Sequence, residues 1–305
     1  MSYNIIELEN ISFAYGNKDV LKSLTFSISK NSIFGFLGPN GSGKTTTVRL
    51  INGILTPKSG SIRVFERDLK DEFLSFREKT GVLTETAALY KNLTGKDNIE
   101  FFGKLYGLNN NKLKERMEWL DKRLEISSFW TKRVKEMSTG MKKRIALAVA
   151  LVHSPEILFL DEPTSGLDPE TTLIVKDIFK ELVKENGVTI FLCTHLLKEA
   201  EEICDVFGFL REGRLLDWGD MQSLLSNFKD STYLKIRGIK PEKLNCRFIE
   251  VEKGVYHIFF DFNLSNADEM SFDIIKKWIE TGGKIFEAKI EHWTLERLYF
   301  SYEVK

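Results

Sequence analysis

Leu24, Phe26 and Ile28 alternate with Thr25, Ser27 and Ser29, the two-residue period of a strand with one buried face. Next, Ile33-Phe34-Gly35-Phe36-Leu37 is apolar at every position, which predicts a strand covered on both sides. Two similar runs follow at 157–160 and 188–193. Strands of this kind separated by helical stretches predict an α/β fold with a largely parallel core sheet. Between Leu89 and Pro155 the period becomes helical. Thr94-Gly95-Lys96-Asp97 reads as a capping box opening a helix through Ile99, Phe102 and Leu105. Met117, Leu120 and Leu124 recur at helical spacing, and 145–152 is apolar nearly all round, as in a buried helix. A helical block at about residues 86–155 therefore interrupts the sheet domain.

Polar residues at 225–231 set off a tail. It reads as strands at 233–237, 247–251 and 255–262, a helix at 272–280 and a strand at 284–290. A last helix carries Leu295, Leu298, Tyr299 and Tyr302 on one face. We expect a large domain over residues 1–225 and a small C-terminal α+β domain over 226–305.

Composition narrows the function. The chain has 44 basic and 44 acidic residues, so the basic excess of a nucleic-acid-binding protein is missing and no nucleic-acid partner is expected. The first residues have neither the charge nor the apolar run of a signal peptide, and no apolar run approaches the roughly 20 residues that span a bilayer. Cys193, Cys204 and Cys246 show no CxxC spacing and fit a reducing compartment. The expected location is cytoplasmic.

The most specific motif is Gly38-Pro39-Asn40-Gly41-Ser42-Gly43-Lys44-Thr45, which fits G-x-x-x-x-G-K-[ST]. It lies between an apolar strand and a helical pattern (Val48, Leu50, Ile51), with Thr46 on the first turn. Glycines let the backbone wrap phosphates with its N–H groups inward, and the helix N-terminus adds partial positive charge. Lys44 would reach the β- and γ-phosphates of ATP, and Thr45 would place its hydroxyl on Mg²⁺. A second strand, 157–160, ends in Asp161-Glu162. In a phosphate-loop enzyme such an Asp orders Mg²⁺, and the adjacent Glu can take a proton from an attacking water.

With these motifs in order, the chain resembles the ATP-binding-cassette ATPases over roughly residues 5–219. The resemblance implies a phosphate-loop core sheet of cassette type, with an antiparallel β-subdomain and a helical subdomain. Tyr15 is similar to the family's adenine-stacking aromatic. Met137-Ser138-Thr139-Gly140-Met141 stands where the family has its LSGGQ signature, whose Ser138, Thr139 and Gly140 would contact ATP held by the opposite subunit. Asp168, in Ser165-Gly166-Leu167-Asp168, resembles the D-loop. His195 resembles the switch histidine that meets the γ-phosphate, whereas His153 reads as structural. Thr139 and Met141 depart from the signature. Glu85 replaces a glutamine that touches Mg²⁺ and the attacking water, and a glutamate oxygen can also ligate Mg²⁺.

The resemblance further implies a head-to-tail dimer of two copies with ATP between them, and an integral membrane permease on a separate chain. The protein would sit peripherally on the cytoplasmic face of the membrane. The segment 85–106 matches the family's docking region for membrane subunits. Thr294-Leu295-Glu296-Arg297-Leu298-Tyr299-Phe300 resembles the terminal element of exporter cassettes serving ABC-2-type membrane subunits. Export is the expected direction. An importer-type ATPase and a nucleotide-gated module with weak hydrolysis are the alternatives.

Overall fold

The computed structural model describes residues 3–71, 73–84, 88–228, 232–241, 248–259 and 267–302. Glu85 and Cys246 lie outside the described residues. The chain divides into two compact units, Met1–Asp220 and Met221–Lys305.

In the first unit, β1 (Asn4–Tyr15) and β2 (Lys18–Ser29) form a hairpin, and β3 (Ile33–Leu37) leads through the phosphate loop into α1 (Lys44–Ile51). There follow β4 (Ser59–Val64), β5 (Arg67–Asp68), α2 (Phe73–Glu78) and β6 (Thr80–Leu83). The helical block holds α3 (Gly95–Leu105), α4 (Asn110–Leu124), a 3-10 turn at Val134–Glu136, and α5 (Thr139–Leu151). Then come β7 (Ile157–Asp161), α6 (Pro169–Asn186), β8 (Thr189–Thr194), α7 (Leu197–Ile203), β9 (Val206–Arg211) and β10 (Arg214–Gly219).

Two sheets result. The antiparallel one has the order β2-β1-β4-β5, and the larger has the order β10-β9-β3-β8-β7-β6. The larger sheet is parallel except at its edge, where β10 runs against β9.

The unbroken apolar runs serve two cores at once, because successive side chains leave a strand on opposite faces. Phe34, Phe36, Phe159 and Phe191 face the β-subdomain and join Leu8, Ile11, Phe26 and Ile28 there. Phe26 stacks on Phe34 at 5.3 Å, and Phe191 lies 5.5 Å from Phe34 and 5.7 Å from Phe159. Ile33, Leu158, Leu160, Ile190 and Leu192 turn the other way, onto the helices. Each fully buried Phe contributes about 1.5–3 kcal/mol, so the strands that end at the site are among the best-anchored backbone in the fold.

The helical block is fastened at both ends. Thr94 and Asp97 close the capping box of α3 reciprocally, and the pairing holds the Asp97 carboxyl below the usual range. At the far end, Arg116 of α4 donates to the carbonyls of Leu151 at 2.8 Å and Val152 at 3.2 Å, meeting the negative end of α5. His153 follows, with Nε2 donating to the Thr80 carbonyl at 3.0 Å and its ring stacked on Tyr106 at 3.7 Å.

Burial pushes the His153 imidazole down to about 4 from 6.5, partly offset by the Thr80 bond. Between those values the unfolded chain takes up a proton that the folded chain refuses, so stability falls as pH drops through this window. The parent should lose about 2 kcal/mol more unfolding free energy than His153→Gln on going from pH 7 to pH 5. Urea titration of both at the two pH values checks this; equal losses would remove the buried ring as the cause.

The second unit contains α8 (Met221–Ser226), β11 (Thr232–Ile239), β12 (Phe248–Glu252), β13 (Val255–Phe259), α9 (Ala267–Glu280), β14 (Lys284–His292) and α10 (Leu295–Ser301). Its antiparallel sheet has the order β12-β13-β11-β14. Leu234, Ile236, Tyr256 and Ile258 pack on the fully buried Trp278 of α9, whose indole N–H donates to the Ile239 carbonyl at 3.1 Å. The helix begins at Ala267, ahead of the expected 272, and Arg247 and residues 260–262 of the expected strands lie outside the described residues. The unit begins with α8, whereas the sequence places the boundary within it, after the buried Leu225. Among the described residues no helix is long and apolar enough to cross a membrane.

Candidate functional site

β3 ends at Leu37, and the chain then turns sharply back into α1. Gly38 passes so close to β9 that an added Cβ would lie 2.1 Å from the Leu210 carbonyl oxygen. Gly43 has φ +116°, and a Cβ there would meet Leu21 at 2.5 Å. Both glycines are therefore required by the path of the loop. Lys44 is buried and donates to the carbonyls of Gly38 at 2.6 Å and Pro39 at 3.2 Å, which holds its ammonium over the loop. Ser42 Oγ is buried without a hydrogen-bond partner among the described residues.

Strand register brings the acidic pair to this loop, since β7 and β3 both flank β8 and end at the same edge of the sheet. Thr45 Oγ1 donates to Asp161 Oδ2 at 2.8 Å. Val20, Asn40, Gly41, Gly43, Lys44, Thr45, Thr46, Asp161 and Glu162 line a cavity of about 390 Å³. Cys193 lies beneath, its thiol pushed well up by burial and by the neighbouring Asp161 charge, so it stays protonated.

Glu162 leaves the strand with φ +49°, a left-handed conformation uncommon for a residue with a side chain. Every polar end of the residue is held. Oε1 accepts from the His195 backbone N–H at 3.1 Å and from His195 Nδ1 at 2.7 Å, while Oε2 accepts from Thr194 Oγ1 at 3.0 Å. A carboxylate only accepts, so the proton of the His195 ring sits on Nδ1. Glu162 is buried and the His195 side chain is half-exposed.

Tyr15, at the end of β1, is 45% exposed; Phe13 supports its ring edge-on at 4.9 Å, and Arg49 donates to its hydroxyl at 3.4 Å. Ser138 caps α5 by accepting from the Met141 N–H at 3.3 Å. A Cβ on Gly140 would meet nothing closer than 3.8 Å, so this chain's own packing does not demand glycine there. None of Ser138, Thr139 and Gly140 lines the loop cavity.

The chain also resembles known proteins in sequence and in fold. A family model described as "ABC transporter" matches residues 21–165. Another, described as an AAA domain of a putative AbiEii toxin, type IV TA system, matches residues 132–199. The linearmycin resistance ATP-binding protein LnrL of Bacillus subtilis is 34% identical over 254 residues, covering 83% of this chain and 80% of that protein. The chain belongs to the ATP-binding-cassette transporter family. The bacitracin transport ATP-binding protein BcrA of Enterococcus faecalis is 36% identical over 214 residues, 70% of this chain and 68% of that one. A solved ATP-binding subunit of an ABC transporter superposes with TM-score 0.68 and 28% identity, over 73% of this chain and 93% of that chain. The protein is thus an ATP-binding, ATP-hydrolysing subunit of an ABC transporter.

In this cassette the structure brings Lys44, Thr45, Thr46, Asp161, Glu162 and His195 together and sets the signature residues apart from the cavity. Asp168 caps α6, accepting from the Thr171 N–H at 2.9 Å and from its hydroxyl at 2.8 Å. Those bonds, the backbone one first, hold its carboxyl below the usual range. Of the proposed metal ligands, Glu85 lies outside the described residues. Val20, which lines the cavity, and Thr194, which donates to Glu162, join the site without belonging to a motif. Thr194 adjoins His195 and ends an apolar strand, which is the signal the sequence offers; nothing in the pattern marks Val20.

Proposed function

We propose that the cassette works as a homodimer that powers export through a membrane permease on a separate chain. The observation that carries the dimer is the separation just described: the phosphate loop and the capped N-terminus of α5 are both suited to anions, yet occupy different parts of one chain. Two copies placed head to tail bring each loop against the other's Ser138, Thr139 and Gly140. The γ-phosphate favours the closed pair because only that state contacts it from both sides.

Thr45 and Asp161 present two hard oxygens 2.8 Å apart at the loop, a donor set that fits Mg²⁺ completed by phosphate oxygens and water. The ion would supply charge neutralisation for the phosphates. Loop N–H groups and Lys44 bind the β- and γ-phosphates, and the exposed Tyr15 ring offers a face to adenine. Glu162 takes a proton from water as the water oxygen attacks the γ-phosphorus and the bond to ADP breaks. His195 holds Glu162 Oε1 through its Nδ1–H, and to meet the phosphate it would carry a proton on Nε2 as well. The proximity and the fixed charges do most of the work.

The permease would dock on the aromatic surface beside α3. Tyr90 and Phe101 are about half-exposed and meet edge to face at 5.2 Å, with Phe102 packed 5.3 Å from Phe101. Export rests on the relatives named for resistance and on the terminal element. Thr294 accepts from the Arg297 N–H at 3.2 Å, so the cap of α10 forms although position 297 lacks an acid. We propose that the C-terminal unit is an accessory domain of this exporter.

Co-purification of the tagged chain from membranes should recover an integral membrane protein, and the reconstituted pair should move cargo outward with ATP. Phe101→Glu should weaken that association about 30-fold, the loss of one interfacial aromatic anchor. Membrane sedimentation of parent and variant checks it. Equal recovery of both would move the docking surface elsewhere.

A further inference from the structure

Lys143, on the second turn of α5, donates to the Glu162 carbonyl at 2.7 Å and to the Ser165 carbonyl at 2.6 Å. These two carbonyls lie at the two ends of the turn that carries Glu162. That turn needs outside support, because a left-handed residue with a side chain persists only where its neighbours hold it. Its N–H donates to the Cys193 carbonyl at 2.9 Å, and its carboxylate is held by Thr194 and His195. These contacts fix the residue from the β8 side. The Glu162 carbonyl belongs to the next peptide unit, where it accepts from Lys143 and, within the turn, from the Ser165 N–H at 3.4 Å.

We propose that Lys143 is a positioning residue for ATP hydrolysis, its ammonium clamping the Glu162–Ser165 turn to α5 so that the Glu162 carboxylate keeps its aim. This rests on Glu162 acting as the base. The clamp has a second consequence. Its foot is the helix whose N-cap, Ser138, faces the nucleotide of the other copy, so closing on that nucleotide presses directly on this chain's own base. The clamp also spans the start of the 165–168 turn, where Thr139 comes within 3.9 Å of a Cβ placed on Gly166. A lysine needed only for helix packing would not set its charge on two carbonyls of a neighbouring turn. Two charge-assisted bonds to main-chain oxygens are worth enough to fix one peptide orientation.

Full-length parent, Lys143→Met, Lys143→Arg and Glu162→Gln are compared for kcat, KM, affinity for a fluorescent ATP analogue, and melting temperature. Methionine keeps the apolar stem and removes the charge, while arginine keeps two donors that can fork onto both carbonyls. Lys143→Met should lower kcat about tenfold, the effect of losing a charged hydrogen bond from the closed state. ATP affinity should stay at the parent value, and Lys143→Arg should restore most of kcat. Parental kcat in Lys143→Met, beside a Glu162→Gln that has collapsed, overturns the clamp alone. A fall in kcat, affinity and melting temperature together, with no recovery in Lys143→Arg, assigns Lys143 to folding and also overturns it. Parental kcat in Glu162→Gln removes the base assignment, and the clamp with it.

Discussion

Glu162→Gln should cut ATP turnover at least about a hundredfold, the usual weight of a general base, while ATP binds as tightly as before. The amide oxygen can still accept from the His195 N–H groups, and the residue stays in its left-handed turn. What it cannot do is take a proton from water. Steady-state phosphate release and equilibrium binding of a fluorescent ATP analogue separate the two effects. Turnover near the parent's would remove Glu162 from this role.

Lys44→Met should act on the other side of the same cavity, and on binding first. Lys44 is buried with its ammonium on the Gly38 and Pro39 carbonyls, poised to exchange these for phosphate oxygens. A charged hydrogen bond of this kind is worth about 1.5–3 kcal/mol, so ATP affinity should fall about 10- to 100-fold. Turnover should fall below detection, since the charge on the leaving phosphates is no longer met. Calorimetric titration of ATP into both proteins decides. Unchanged affinity would place the phosphates away from the loop.

Much of this was legible because local pattern and tertiary role coincide. The apolar runs at 33–37, 157–160 and 188–193 became β3, β7 and β8, buried on both faces. Thr94 and Asp97 formed the capping box their spacing predicts, since that motif is closed by residues three apart. Where contacts are distant, the pattern was silent. β10 has no buried face of its own and is fixed by pairing with β9, whereas β9 does carry an apolar run, Val206 to Leu210, like that of β3. The contacts of Lys143 reach across 19 and 22 residues, to a turn whose shape no local period encodes.

The signature departures also gain a physical reading. Met141, where a glutamine is usual, packs partly buried against the helical core, so its side chain serves the fold. Ser138 still caps the helix and Gly140 still leaves room, which keeps the anion-facing geometry of α5. In the proposed two-copy site these are the features that a shared nucleotide would use.

The most direct test of the two-copy site is the mass in solution of Glu162→Gln, measured by light scattering with Mg²⁺ and either ATP or ADP. Shared nucleotides predict a dimer with ATP and a monomer with ADP, and Ser138→Glu added to the same chain should abolish the dimer by setting a negative charge against the phosphate. A single-chain mass with ATP demonstrably bound, or a dimer indifferent to both the nucleotide and Ser138→Glu, would contradict it.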